Sequence, residues 1–271
     1  MNHTYPGNVF CVANQKGGVG KTTTTINLAA ALGMLKKRVL LVDLDPQGNA
    51  TMGSGVDKNN LKSNVYQVLI GEATAEQSIV KSACGNYDVL PSNRELAGAE
   101  IDLIQMEERE HQLKKALDTV ADNYDFILVD CPPTLSLLTL NGLVSAYGVI
   151  IPMQCEYFAL EGLSDLVNTV KRVHKNLNPG LQLVGLLRVM FDPRVTLQQQ
   201  VSAQIETHFG DRVFKTLIPR NVRLAEAPSH GLPGIVYDKN SRGAKAYLEF
   251  GDELIKRMKR ESLRAMARPP V

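Results

Sequence analysis

Short unbroken apolar runs alternate along the chain with longer stretches in which apolar residues recur every three or four positions. The runs are Val9 to Ala13, Arg38 to Asp43, Tyr87 to Leu90, Asp125 to Asp130, Gly148 to Met153, Leu183 to Met190 and Val213 to Ile218. Runs of this length without polar alternation predict strands covered on both faces. Helical spacing predicts helices over Thr23 to Leu35, Val65 to Ile70, Glu95 to Lys115, Leu135 to Ala146, Leu160 to Leu177, Thr196 to Phe209 and Arg242 to Met258. In Glu95 to Lys115 the stripe is Leu96, Ala99, Leu103 and Met106, and the many acids form a solvated face. Strands and helices taking turns imply crossover connections. The expected fold is α/β, a doubly wound and mostly parallel sheet with helices on both faces.

The residues just after these runs carry the chemistry. Val9 to Ala13 leads into Asn14-Gln15-Lys16-Gly17-Gly18-Val19-Gly20-Lys21-Thr22-Thr23. Glycines let backbone N–H groups turn inward, and the helix start beyond them adds its positive dipole end, so a strand, a glycine-rich loop and a helix make a phosphate cradle. Lys21 offers an ammonium and Thr22 a hydroxyl for magnesium. The residues Lys16 to Thr23 are therefore the expected nucleotide triphosphate site. The ordinary P-loop spacing G-x-x-x-x-G-K-[ST] would place glycine at Gln15, and a second lysine, Lys16, opens the loop instead.

Two further runs end in acid. Val39 to Val42 ends in Asp43, and Pro46 and Gly48 make Leu44 to Asn49 a loop carrying Asp45. Ligands of open α/β sheets bind at such strand ends, although isolated acids there also serve as caps or turns. Phe126 to Val129 ends in Asp130, followed by Cys131-Pro132-Pro133, a Walker B pattern that would carry Asp130 to magnesium through a water. Glu156, after another strand end, reads equally as a cap and receives no catalytic role. His230, flanked by Pro and Gly, reads as a turn or interface residue.

With 271 residues and 44% hydrophobic composition, the chain is expected to form one domain over residues 1–271, with a basic, frayed tail at about 259–271. Cys11, Cys84, Cys131 and Cys155 show no C-x-x-C spacing, the pattern of reduced cytoplasmic thiols. No secretory leader or bilayer-spanning run is legible, which predicts a cytoplasmic protein with no membrane partner. The net charge of +2 hides an asymmetry. Lys81 to Asp130 holds about six more acids than bases, and Lys171 to Arg223 about six more bases than acids, which suggests an anionic partner for the second half.

The loop K-G-G-x-G-K-T resembles the signature of the ParA/MinD family of ATPases. The elements V-D-L-D-P-Q-G-N, D-C-P-P and I-P-R-N-V-R-L-x-E-A-P-S-H-G come after it in that family's order, and together they resemble the small chromosomal ParA proteins of the Soj type. The first strand begins near Val9, without the extra N-terminal DNA-binding domain of larger plasmid relatives. The resemblance implies ATP and Mg2+ as cofactors. It also implies that Lys16 reaches a partner subunit's phosphates across a homodimer, that Asp45 orients the attacking water, and that Pro219 and Asn221 close over the adenine. Arg194 and Arg223 inherit contacts to the backbone of nonspecific double-stranded DNA, though either could be a surface ion pair. A ParB-like centromere-binding partner would stimulate hydrolysis, in a nucleoid-associated cycle serving chromosome or plasmid segregation. Two rivals need other features. A MinD-like membrane-cycling ATPase needs an apolar C-terminal helix face, for which Leu263 and Met266 among Lys259, Arg260, Arg264 and Arg268 offer little. An iron–sulfur reductase needs clustered cysteine ligands.

Overall fold

The computed structural model describes residues 7–266. Eight strands form one sheet: β1 Val9–Val12, β2 Val39–Asp43, β3 Val80–Lys81, β4 Asp88–Leu90, β5 Phe126–Asp130, β6 Gly148–Met153, β7 Gln182–Phe191 and β8 Val213–Pro219. Their order is β3-β4-β2-β5-β1-β6-β7-β8, and every pairing is parallel except β3 with β4. After β1 the chain builds outward on one side, and from β5, beside β1, it crosses to β6 and builds on the other. The crevice at the finishing end of β1 is thus the switch point where doubly wound sheets bind ligands.

Both faces are covered, which is why the strands read as unbroken apolar runs. Leu40, Val42, Ile127 and Val129 pack toward helices that include Leu137–Ser145 and Ala159–Asn176. Leu41, Phe126 and Leu128 face the opposite layer, where the helix Lys21–Met34 lies beside the C-terminal helix Arg242–Met266. Leu28, Leu32, Tyr247 and Phe250 fill that layer, all essentially inaccessible to solvent.

Three expected elements differ. The single helix over Glu95 to Lys115 is a 3-10 turn Arg94–Gly98, a helix Ala99–Ile104 and a helix Gln112–Asp118. Between the two α-helices, Glu108 has φ 49°, and Asn141 bridges the bend by accepting from the Leu113 amide at 3.0 Å and donating to the Arg109 carbonyl at 2.8 Å. The bend turns both Leu103 and Leu113 into the core, leaving Ile101 and Ile104 outside.

The stretch from Pro219 to Gly231, whose composition reads as a loop, contains the helix Val222–Glu226 and a 3-10 turn Ala227–His230, and a further short helix Gly234–Tyr237 comes after it. The Asn221 side chain starts the first by accepting from the Arg223 amide at 2.9 Å. Nor does the chain fray at Lys259. The last helix runs to Met266, anchored where the Tyr147 hydroxyl donates to Glu261 at 2.9 Å and Ser262 is buried. Residues 267–271, the rest of the expected tail, lie outside the described residues.

Candidate nucleotide site

The phosphate loop spans the gap from β1 to the helix Lys21–Met34. Gly18 and Gly20 have φ of 73° and 75°, left-handed values that L side chains rarely adopt, and Gly20 is the residue that opens the helix. A Cβ built on Gly17 or Gly18 would meet nothing within 4 Å, so the loop backbone borders open space there. Asn14 secures the loop's base by donating to the Pro152 carbonyl at 2.9 Å, and its side-chain oxygen accepts from the Lys16 amide at 2.9 Å. Gln154 donates to the Gly18 carbonyl at 3.0 Å.

Lys21 and Lys16 are placed differently. Lys21 is 7% exposed, and its ammonium donates to the Lys16 carbonyl at 3.2 Å. Burial pulls its pKa down, opposed chiefly by the Asp130 carboxyl. Lys16 is exposed, and its ammonium pairs with Glu156 of the same chain. Glu156, whose place in the sequence suits a cap, is instead the present partner of the signature lysine.

Three acids stand at the ends of β2 and β5. Asp43 and Asp130 are neighbours across those strands, and both are fully buried. Asp130 accepts from the hydroxyls of Thr22 at 2.8 Å and Thr25 at 3.0 Å. Asp43 accepts from the Thr51 amide at 2.8 Å, the Thr51 hydroxyl at 2.7 Å and the Asp45 amide at 3.1 Å. Burial pushes the Asp130 carboxyl up to about 8, with Asp43 beside it adding to the shift. Burial also raises Asp43, to about 6, because its hydrogen bonds recover only part of the cost of removing water. Asp45 is half-buried, and its side chain accepts from the Gln47 amide at 2.9 Å. Its charge is felt at both Lys21 and Asp130, so one electrostatic site includes all three groups.

The donor set suits a hard divalent cation: a hydroxyl at Thr22 and a carboxylate at Asp130, two side chains already in contact beside open glycine backbone. A cation there would also relieve the cost of charging Asp130. Sequence reasoning missed Thr25, Thr51 and Ser92, whose hydroxyl donates to the Asp45 carbonyl at 2.9 Å. Only Thr25 had a usable signal, since it lies one turn beyond Thr22 on the same helix.

Residues 7–183 match the AAA domain family. Soj of Bacillus subtilis is 52% identical, covering 92% of this chain and 98% of that protein. The chromosome partitioning protein ParA of Caulobacter vibrioides is 46% identical, covering 93% and 95%. The chain belongs to the ParA/Soj family of ATPases. Among solved structures, cobyrinic acid a,c-diamide synthase from Mycobacterium smegmatis with bound ADP and magnesium is 39% identical with TM-score 0.81, covering 92% of this chain and 94% of that one. The cell division ATPase MinD of Pyrococcus furiosus is 27% identical with TM-score 0.76, covering 92% and 99%.

The remaining residues expected to act in this ParA/Soj-type ATPase lie at or beyond the finishing ends of β7 and β8. Pro219 ends β8 and Asn221 is occupied as a helix cap. Arg194 is 87% exposed at its side chain, yet it is held by Asp192 through contacts of 2.9 and 2.7 Å, and this partner keeps the Asp192 carboxyl far below its usual range. Arg223 pairs with Glu226 at 3.0 Å and faces Asp238 at 3.7 Å. Both arginines are exposed and both have an acid to leave before a phosphate could take its place. Among the described residues, no helix is long and apolar enough to cross a membrane.

Proposed function

We propose that this chain is an ATP-dependent dimerising switch that binds DNA without sequence preference and hydrolyses ATP when a ParB-like partner stimulates it, serving chromosome or plasmid segregation. The observation that carries the reading is the phosphate loop, with open space at Gly17 and Gly18, a buried Lys21 and a Thr22 hydroxyl already on Asp130. The wider role is drawn from the partitioning relatives.

ATP and Mg2+ are the ligands these residues suit. The loop amides and Lys21 would bind the phosphates, Thr22 would hold the cation and Asp130 would reach it through a water, and Asp45 would orient the attacking water. When bound, the cation neutralises charge on the phosphates. Lys16 serves the partner subunit's phosphates, which requires it to leave Glu156. Both ends of that pair are about half exposed, so the exchange costs little. Pro219 and Asn221 border the base, and the whole chain acts as one ATPase domain.

The test is ATP turnover with and without nonspecific duplex DNA and a candidate partner's basic N-terminal peptide. Stimulation by the two together is expected, and turnover indifferent to both would overturn the reading. Gel shifts with ATP across a salt series should show weaker DNA binding in Arg194→Ala and Arg223→Ala, with about one unit less salt slope for each phosphate no longer neutralised. Unchanged binding in the double variant would move the DNA surface elsewhere. ATP-dependent sedimentation with liposomes, in place of DNA binding, would favour the MinD-like alternative.

A further inference from the structure

Among the described residues, Lys36, Glu108 and Met190 are the non-glycine residues with left-handed φ. Lys36 follows the end of the helix Lys21–Met34, and Glu108 makes the bend before Gln112, both places where the chain must turn. Met190 differs, because it lies within β7 at φ 52°. There β7 advances three residues, from Arg188 to Phe191, while β8 advances two, from Leu217 to Pro219. The extra residue makes a bulge, and a bulge re-aims the side chain it carries. Glycine would take this conformation without steric cost, whereas methionine is strained by it and stays only where its contacts over-determine the backbone.

Those contacts reach the phosphate loop. The Met190 methyl stands 3.7 Å from the position of a Cβ on Gly20. Its sulfur accepts from the side-chain nitrogen of Gln154 at 3.1 Å, and the same nitrogen donates to the Gly18 carbonyl at 3.0 Å. A carbonyl oxygen and a thioether sulfur offer lone pairs only, so the end of Gln154 between them is its NH2, with one hydrogen for each. Gln154 directly follows β6, whose last residue, Met153, pairs with Arg188 of β7. The finishing ends of two adjacent strands thus meet on one loop carbonyl.

The peptide bonds of the described residues are all trans, so holding the Gly18 carbonyl toward Gln154 turns the Val19 N–H the opposite way. A phosphate cradle needs its amides facing the anion and its carbonyls turned back, since a carbonyl oxygen facing a phosphate repels it. We propose that Gln154, steadied by Met190, is a positioning residue for ATP binding. It holds the Gly18 carbonyl back, so that the Val19 amide is set for a phosphate before the nucleotide arrives and less ordering is left to the binding step. The inference rests on the phosphate loop being the nucleotide site, and neither side chain has to touch the nucleotide itself.

The experiment is titration of the full chain with fluorescently labelled ATP and ADP in the presence of Mg2+, alongside steady-state turnover and thermal melts of the ligand-free chain. Gln154→Leu, close in size but without a donor, should weaken both nucleotides by about tenfold, the worth of one well-placed hydrogen bond. KM should rise with kcat nearly unchanged, because the loop serves bound substrate and transition state alike. The ligand-free melting midpoint should stay where it is, which a merely structural role would not allow. Gln154→Glu, which sets a carboxylate against the carbonyl, should lose at least as much affinity. Met190→Leu should lose less, about threefold, and adding it to Gln154→Leu should bring no further loss, since Met190 acts through Gln154. Lys21→Ala is the reference. If it weakens binding while Gln154→Leu and Gln154→Glu do not, the proposal is overturned and the phosphate-loop site stands. If Lys21→Ala binds as tightly as the unaltered chain, the loop is not the nucleotide site and the positioning role falls with it. Fully additive losses in the double variant would overturn the link from Met190 to Gln154.

Discussion

The sheet buries a pair of acids beside the phosphate loop, near the buried Lys21, and a pair of arginines at its β7 and β8 edge. Beside the phosphate loop, Asp43 and Asp130 are fully enclosed, and hydroxyl and amide donors reach them with no cation in ion-pair contact among the described residues. At the β7 and β8 edge the buried ions are Arg188 and Arg257, and the chain supplies Glu206, Glu253 and backbone carbonyls to match them. The central acids remain electrostatically incomplete, and their carboxyls are raised as a result. The edge arginines are met by carbonyls and carboxylates, although the Arg188 Nε is buried without a hydrogen-bond partner among the described residues and burial pulls Arg257 down. A site kept short of positive charge has affinity to offer an incoming cation, whereas a satisfied pair serves to hold a strand and a helix together.

The largest expected effect separates chemistry from binding at the central site. Asp45→Ala should bind nucleotide and dimerise yet lose turnover by about 10²–10⁴, the usual range for removing a group that positions or activates water. Single-turnover kinetics with wild-type rates would remove Asp45 from the mechanism.

At the edge, Arg188→Ala should act on stability and leave nucleotide affinity alone. It strips donors from the Phe214 carbonyl and Ser202, and a buried acceptor left unmatched costs about 1–3 kcal/mol. A fall of several degrees in melting temperature is expected. If nucleotide titrations of the variant showed affinity falling in step with stability, the two regions would not be separable.

Next come the two lysines. Lys21→Ala should weaken nucleotide binding by about 10- to 100-fold, because a charge-assisted hydrogen bond to phosphate is removed. Lys16→Ala should spare binding to the monomer and impair the ATP-bound dimer. Equal falls in affinity by calorimetry would argue against a lysine acting across an interface.

The smallest effect is a pH dependence that only the central site should show. Asp43 and Asp130 hold their protons more tightly in the folded chain than in the unfolded one, where carboxyls titrate near about 4. The folded state therefore binds more protons from there up to about 8, and stability of the ligand-free chain should fall as pH rises through that window. Thermal melts should show a higher midpoint at pH 5.5 than at 8.5, with a shallower slope in Asp130→Asn. A midpoint rising with pH over that window would contradict the raised carboxyls.

The signals for strands and loop were local and therefore legible. Asp43 and Asp130 end apolar runs, and Lys21 and Thr22 come after glycines that only one kind of turn needs. The supporting contacts were not legible. Asp43 depends on Thr51, which lies on a short helix in a stretch without periodic signal, and the Glu156 that holds Lys16 is brought to it from the far end of another strand. The expected single helix over Glu95 to Lys115 failed for a related reason: its apolar spacing is helical throughout, but the bend at Glu108 is bridged by Asn141, remote in sequence. The basic tail has no apolar pattern strong enough to extend the last helix past Met258, and contacts to Tyr147 and Arg212 anchor it there.

The sequence by itself determined the alternation of strand and helix, the phosphate loop, the acids at strand ends and the family resemblance, because each is written in residues adjacent or a helical turn apart. The tertiary structure alone decided the strand order, the burial that raises Asp43 and Asp130, and the pairing of Lys16 with Glu156. Those depend on groups far apart in the chain, and on how much water the surrounding layers remove from each charge.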